Sequence, residues 1–374
     1  MSKLKKLIDK YCPNGVEYKS LGDEDVSIMQ RGTSLTKKDA NEGVYPVISG
    51  GKTPAFYCDA SNRSGETITV AGSGAGAGYV QYWNEPIFVC DAFSIKGTND
   101  VLTKYLYYCL VNMQDKIYAT KKGGGVPHVH ISSIDKFLIP VPPIPVQEEI
   151  VKILDRFAEY AAELQADLQA RQEQYEFYRN KLLAFNEIGG GSVIWMKMSE
   201  VYDMKAGKTI ISSMIENVKT LKNPYPCYGG NGLRGYVSEY NQQGNKVLIG
   251  RQGALCGNVC FANNSFYATE HAVVVSEKGY CLPRYTYHLL TKMKLNQYKT
   301  AGAQPGLSVS RLEKLLIPIP SMEMQLKIIC ILDRFDELIS DLAQGLPAEI
   351  AAVQEQYEYY RNKLLSFPEY KLSA

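Results

Sequence analysis
The chain runs to 374 residues, 45% of them hydrophobic, which is longer than one core usually serves and too apolar for a disordered chain, so two or more folded domains are expected. No apolar run approaches the roughly 20 residues of a membrane span, and the opening MSKLKKLIDKYCPNG has lysines but no apolar stretch long enough for a secretion signal, which predicts a cytoplasmic protein with no membrane partner. The formal charge of +2 hides a division: residues 193–323 carry +7, whereas 146–185 and 324–367 carry −3 each, so the second globular stretch suits a polyanion and the acidic stretches do not.

Residues 1–145 form the first predicted domain. Short apolar and aromatic runs bounded by Gly, Asn and Asp, such as 67–70 and 86–90, predict strands, and 104–113 predicts a helix; the outcome is a mixed α/β domain. The run IPVPPIP (139–145) predicts extended backbone at the domain's exit. Residues 146–185 then predict a long helix. Ile150, Leu154, Phe157, Ala161, Leu164, Leu168, Arg171, Tyr175, Tyr178, Leu182 and Phe185 alternate by four and three, a coiled-coil seam in which only Arg171 breaks the apolar rule. From Gln147 to Phe185 such a helix would be roughly 58 Å long.

The glycine-rich linker 186–192 leads into a second domain, 193–323, again with strand-like runs (246–249, 272–275) and a helix-like stretch (284–293). Residues 324–367 predict the second helix, with Ile328, Leu332, Phe335, Ile339, Leu342, Leu346, Ile350, Val353, Tyr357, Tyr360, Leu364 and Phe367 in its seam. Two successive steps of four around Leu346 make a stutter, which coincides with Gly345-Leu346-Pro347, so a kink or short break is expected there. Residues 368–374 are a tail.

The second half repeats the first. RQEQYEFYRNKLLAF (171–185) matches VQEQYEYYRNKLLSF (353–367) at 12 of 15 positions, ILDRF recurs at 153–157 and 331–335, and KFLIPVPPIPVQ (136–147) matches KLLIPIPSMEMQ (314–325). Tyr45-Pro46 matches Tyr225-Pro226, Gly74-Ala75 matches Gly253-Ala254, and Cys90-Asp91 is set against Thr269-Glu270. The framework is shared but the loop chemistry is not: Gly72-Ser73 faces Arg251-Gln252, and His128 and His130 face Gly306 and Ser308.

Patterns for catalysis fail one by one. GSGAGAG (72–78) fits a dinucleotide fingerprint in letters, but a strand-like YVQYW follows it where a phosphate-binding helix must begin. Gly51-Lys52-Thr53 and Gly207-Lys208-Thr209 resemble the end of a phosphate loop, yet Pro46 and Tyr202 stand where its first glycine belongs. The nine cysteines form no CxxC pair and read as buried free thiols, Cys330 among them; no zinc or other metal site is expected. No Asn/Asp-Pro-Pro-aromatic run of an amino-methyltransferase occurs. The chain reads as non-catalytic.

The order and duplication of these pieces resemble the specificity subunits of type I restriction-modification systems. The likeness covers essentially the whole chain and is carried by LIDKYCPNGVEYKSLG (7–22), the proline junctions with Gln-x-x-Ile, the two ILDRF copies, GLPAEI (345–350) and the two YRNKLL endings. It implies two tandem globular target-recognition domains, each reading half of a bipartite site on double-stranded DNA. It also implies two helices that pair as an antiparallel coiled coil, set the spacing and dock two methyltransferase subunits. It implies no cofactor on this chain: S-adenosylmethionine, ATP and Mg2+ belong to the methyltransferase and the restriction/translocase subunits. Two other readings are a structural scaffold with two protein-binding domains, against which the +7 balance speaks, and a stand-alone methyltransferase.

Cations and amides in exposed loops are the groups that meet phosphates and base edges. The candidates are Lys52, Arg63, Lys121, Lys122 and His128 in the first domain, and Lys208, Asn231, Arg234, Arg251, Gln252 and Gln304 in the second. Arg251-Gln252 stands first among them, because its counterpart Gly72-Ser73 differs completely within an aligned loop.

Overall fold
The computed structural model describes residues 3–123, 125–185, 193–253, 255–300 and 306–370, without the side chains of 338–346. Contacts divide the chain into two compact units, Met1–Gln165 with Pro347–Ala374, and Ala166–Leu346. Five helices matter below: α1 (Lys3–Tyr11), α2 (Thr103–Asn112), α3 (Ile144–Leu182), α4 (Pro283–Lys292) and α5 (Met322–Leu364).

In the first unit a four-stranded antiparallel sheet runs in the order Ser27–Arg31, Ala92–Gly97, Thr67–Ala71, Val80–Trp83. Its strand Thr67–Ala71 is buried at every residue, as a central strand covered on both faces must be. A three-stranded sheet, Phe56–Cys58, Tyr45–Ile48, Phe88–Val89, adds one parallel pairing. Tyr105, Leu106 and Leu110 of α2 pack with Ile68, Val70 and Ile95 of the larger sheet to form the core. The second unit repeats this plan. Tyr202–Ala206, Ala272–Glu277, Lys246–Gly250 and Val259–Ala262 make one sheet, and Gly232–Val237, Tyr225–Gly229, Ser265–Ala268 and Gln242–Gln243 the other. Tyr285, Leu289 and Leu290 of α4 lie against Val247, Ile249, Val273 and Val275. The class is mixed α/β in both copies.

The proline junction divides differently from the expectation of continuous extended backbone. Leu138–Pro140 is a strand paired with Tyr18–Ser20, but α3 already begins at Ile144, because proline is tolerated in the first helical turn, where its missing N–H has no partner to lose. The helix ends at Leu182, short of Phe185. No interruption appears at Gly345-Leu346-Pro347: α5 is continuous with Pro347 inside it, which costs the i→i−4 hydrogen bond that a proline cannot donate. Cys330 is exposed, not buried, since it lies on the helix face away from Ile328 and Leu332.

Within each unit the long helices pair in opposite directions. In the first, Phe157 stacks on Tyr360 with ring centroids 5.5 Å apart, and Tyr160 donates to Glu349 at 2.8 Å. In the second, Tyr175 and Tyr178 both meet Phe335, and Tyr175 donates to Asp336. Ascending numbers on one helix thus meet descending numbers on the other, and the coiled coil is antiparallel. Leu154 and Leu332 are fully buried, while Phe157, Leu164, Leu168, Tyr175, Leu182, Phe335, Tyr357 and Leu364 are half-buried. Tyr178 and Tyr360 keep 37% and 39% of their surface exposed although their rings are stacked. The side chains of Ile339 and Leu342 lie outside the described residues. Arg171 is exposed and pairs with Asp167 one turn earlier at 2.9 Å.

The repeated motifs are the joints between domain and helix. Gln147 is fully buried: its Oε1 accepts from Leu102 N at 2.9 Å, and its Nε2 donates to the carbonyls of Asp100 and Pro142, each at 2.7 Å. Gln325 repeats this with Leu282 N at 2.9 Å and the carbonyls of Tyr280 and Pro320 at 2.9 and 3.0 Å. Two turns on, the aspartate of each ILDRF copy grips the domain helix. Asp155 takes the Tyr108 hydroxyl and lies 3.4 Å from Lys104, whereas Asp333 takes Arg284 at 2.6 and 2.9 Å and His288 at 2.8 Å.

Candidate nucleic-acid interface
Three loops of the first domain are stitched together by backbone hydrogen bonds. Gly74 N donates to Pro127 O at 3.1 Å, Val129 N to Gly72 O at 2.9 Å, and Lys122 and His128 exchange both their N–H···O bonds at 2.8 and 2.9 Å. The turn carrying Lys52 joins them through Gly50, where a Cβ would lie 2.1 Å from Ser73 O, so only glycine permits the approach. Lys52, Lys122 and His128 are exposed and Lys121 is half-exposed. Lys52 lies over the Tyr79 ring at 5.2 Å and Lys121 over Tyr118 at 4.2 Å. Four of the five candidates of this domain are therefore brought to one loop cluster. Arg63 is not among them: its Nε, Nη1 and Nη2 donate to Ser94 Oγ, Asn62 O and Arg31 O at 2.7, 2.7 and 2.9 Å, which makes it a brace of the sheet.

The second domain builds the same cluster from other residues. Leu307 N donates to Arg251 O at 2.8 Å, Arg251 N to His271 O at 2.9 Å, and Gln252 bridges to Gly306. Gly250 is held so close to Gly230 that a Cβ would stand 1.9 Å from its carbonyl oxygen. Exposed Asn231 occupies the adjoining turn, Lys208 bridges to Thr269, and Arg234 donates to Ser212 Oγ at 2.9 Å while packing on Gly229. Gln304 lies outside the described residues. Arg251 and Gln252 thus share one loop cluster with Lys208, Asn231 and Arg234.

At the heart of these clusters the two copies do not correspond letter for letter as Cys90-Asp91 against Thr269-Glu270, because the second holds one residue more. Gly72 N donates to Asp91 O as Arg251 N does to His271 O, and Cys90 N donates to Ile48 O as Thr269 N does to Tyr228 O. Asp91 therefore corresponds to His271, Cys90 to Thr269, and Glu270 is an extra residue in the second copy. Asp91 and Glu270 are carboxylates, outside the cations and amides that meet phosphates, and His271 carries no loop signature that sets it apart in the sequence. The only trace in the sequence is the offset between copies, which changes by one at this point.

The glycine run 72–78 leads into the strand Val80–Trp83, and Gly51-Lys52-Thr53 sits in a turn between strands, so neither precedes a helix N-terminus that would hold phosphate. Among the described residues one group, His288, Asp333 and Asp336, has the composition of a metal site. Arg284 occupies it, bonded to Asp333 at 2.6 Å and to Asp336 at 3.1 Å. Those bonds outweigh the upward push of burial and hold the Asp333 carboxyl below its ordinary value, while burial pushes the His288 imidazole down. The cluster is the joint between α4 and α5. No described helix is long and apolar enough to cross a membrane.

Two copies of a mixed α/β domain, each carrying a cation-bearing loop cluster and each fastened to an antiparallel pair of long helices, define a duplicated recognition protein with a helical spacer. The type I restriction modification DNA specificity domain family matches residues 13–174 and 194–352. The chain belongs to that family, and its role is DNA sequence specificity in a type I restriction-modification system. It is 40% identical over 270 residues to the EcoprrI specificity subunit of Escherichia coli, covering 69% of this chain and 67% of that one. To the EcoR124I/EcoR124II specificity subunit of the same organism it is 28% identical, with 98% of both chains covered. The fold is similar to that of a type I S subunit from M. genitalium, with a TM-score of 0.66, 19% identity, and 96% and 97% of the two chains covered.

Proposed function
We propose that this chain chooses the site for a type I restriction-modification assembly without itself doing chemistry, each domain reading one half of a bipartite duplex sequence. The observation that carries this is the pair of loop clusters: their backbone hydrogen bonds correspond strand for strand, yet Gly72-Ser73 in one becomes Arg251-Gln252 in the other. Shared scaffolding with divergent edge chemistry is what two domains need to read different half-sites. The acidic helices α3 and α5 are poor DNA surfaces, so they serve as the spacer and as the docking face for two methyltransferase subunits. S-adenosylmethionine, ATP and Mg2+ then belong to those partners and to the restriction/translocase subunits, and the assembly works in the cytoplasm.

The test is duplex binding by the chain assembled with its methyltransferase partner. One bipartite duplex should bind far better than a scrambled one, with affinity falling steeply as salt rises. Equal affinity for the two would overturn the proposal, as would partner binding that is insensitive to salt and retains no DNA. Exchanging residues 193–323 for those of a relative should change one half-site and leave the other.

A further inference from the structure
The corner between the strands Phe88–Val89 and Ala92–Gly97 lies under the Gly72-Ser73 loop, and its counterpart lies under Arg251-Gln252. Both corners carry a carboxylate in the midst of a cluster otherwise rich in cations. Asp91 is exposed and accepts from the Ser73 hydroxyl, and together with Arg31, His128 and His130 it lines an open cavity of about 190 Å³. Glycine at 72 leaves that carboxylate uncovered, since a Cβ there would sit 3.1 Å from Asp91 O and 3.5 Å from its Oδ1. In the second domain the extra residue Glu270 stands beside His271, with Oε1 3.3 Å from Nε2. Among the described residues, the buried atoms Arg251 Nε, Glu270 Oε2 and His271 Nδ1 meet no hydrogen-bond partner, and three such atoms gathered at one half-exposed corner leave polar capacity there for a ligand.

A carboxylate at a DNA-facing loop is repelled by phosphates and gains nothing from the backbone of the duplex. It is attracted by one feature of the major groove, the exocyclic amino group of cytosine or adenine, for which it is a pure acceptor. Resting on the function proposed above, we infer that this corner is a specificity-determining position. Asp91 in one domain and Glu270 in the other each accept a hydrogen bond from the amino group of a cytosine or an adenine. Ser73 orients the first carboxylate and His271 the second. The inserted residue makes the two corners unequal in reach, so the two half-sites differ in the place of the amino-bearing base.

The experiment uses the chain assembled with its methyltransferase partner, acting on a DNA library randomised across the bipartite site, with methylated products sequenced. Asp91→Asn should relax one base pair of the first half-site, lowering discrimination there by about 5- to 150-fold, and should leave the second half-site intact. Glu270→Gln should do the same to the second half-site alone. Ser73→Ala keeps the carboxylate and controls for bracing: it should retain the preferred base. Unchanged recognition in both carboxylate variants overturns the inference. So does an equal loss at every base, or a Ser73→Ala phenotype identical to Asp91→Asn, since either marks a brace for the loop. A wild-type assembly that prefers no bipartite sequence would overturn the function itself, and the assignment with it.

Discussion

The buried glutamine at the start of each long helix lends itself to a quantitative test. Gln325 is fully buried and its amide meets three backbone groups: Leu282 N–H, and the carbonyls of Tyr280 and Pro320. Gln325→Met keeps the length and most of the volume of the side chain but leaves one donor and two acceptors without their amide partner at a fully buried position. A buried group left unpaired costs about 1–3 kcal/mol. Carbonyls tolerate the loss better than an N–H, and the thioether recovers part of it by burial, so the net destabilisation is about 2–5 kcal/mol. For a unit of this size that lowers the melting temperature by about 5–15 °C. Scanning calorimetry on the full chain should resolve which transition moves: Gln325→Met lowers that of the unit Ala166–Leu346, and Gln147→Met that of the unit built from Met1–Gln165 and Pro347–Ala374. A shift corresponding to less than about 1 kcal/mol for either variant would refute the claim that the amide is the joint, because surface substitutions already reach about half of that.

Three further outcomes follow from the same structure. Burial holds the His288 imidazole below its ordinary 6.5 despite the pull of Asp333, so the unfolded chain takes up the proton first on acidification; the stabilisation is complete above 6.5 and is lost as pH falls through the lowered folded value. His288→Gln should therefore flatten the fall in melting temperature below pH 6.5, and an unaltered pH profile would count against this. Arg251→Ala should cost about 1–3 kcal/mol of binding and relax one position of a half-site, whereas Lys208→Ala should weaken all sequences alike and reduce the salt slope by about 1; titrations of specific and scrambled duplexes at several salt concentrations distinguish the two. Removing Gly345 to Ala348 takes out four residues, about 6 Å of helical rise, together with Pro347, and should change the preferred gap between half-sites in methylated products; an unchanged gap with unchanged stability would end the role of α5 as a spacer.

Periodicity made the helices legible, because a coiled-coil seam is written at fixed spacing and every seam residue but Arg171 is apolar for a local reason. The duplication likewise exposed the framework, since a fold maintained twice must keep its core twice. Joints were harder to read. Gln147 and Gln325 appear in the sequence as polar residues in a proline-rich junction, and nothing local says that an amide there is fully buried; the only clue is that both copies keep it beside the same prolines. Asp155 and Asp333 look like solvent-facing charges on a heptad, yet each is committed to a helix some 50 residues earlier, a contact that no periodicity encodes. The base-reading corner was hidden for a different reason. A single inserted residue shifts Glu270 into the place where letter-by-letter comparison puts Asp91, so the two acids look equivalent, although the backbone hydrogen bonds pair Asp91 with His271. Insertions at a corner between strands cost little, because the loop and not the ladder absorbs them, and they move a side chain by a whole residue in one step. That makes the corner a place where specificity can change without disturbing the paired helices, which depend on joints lying at the other end of the strands and helices of each domain.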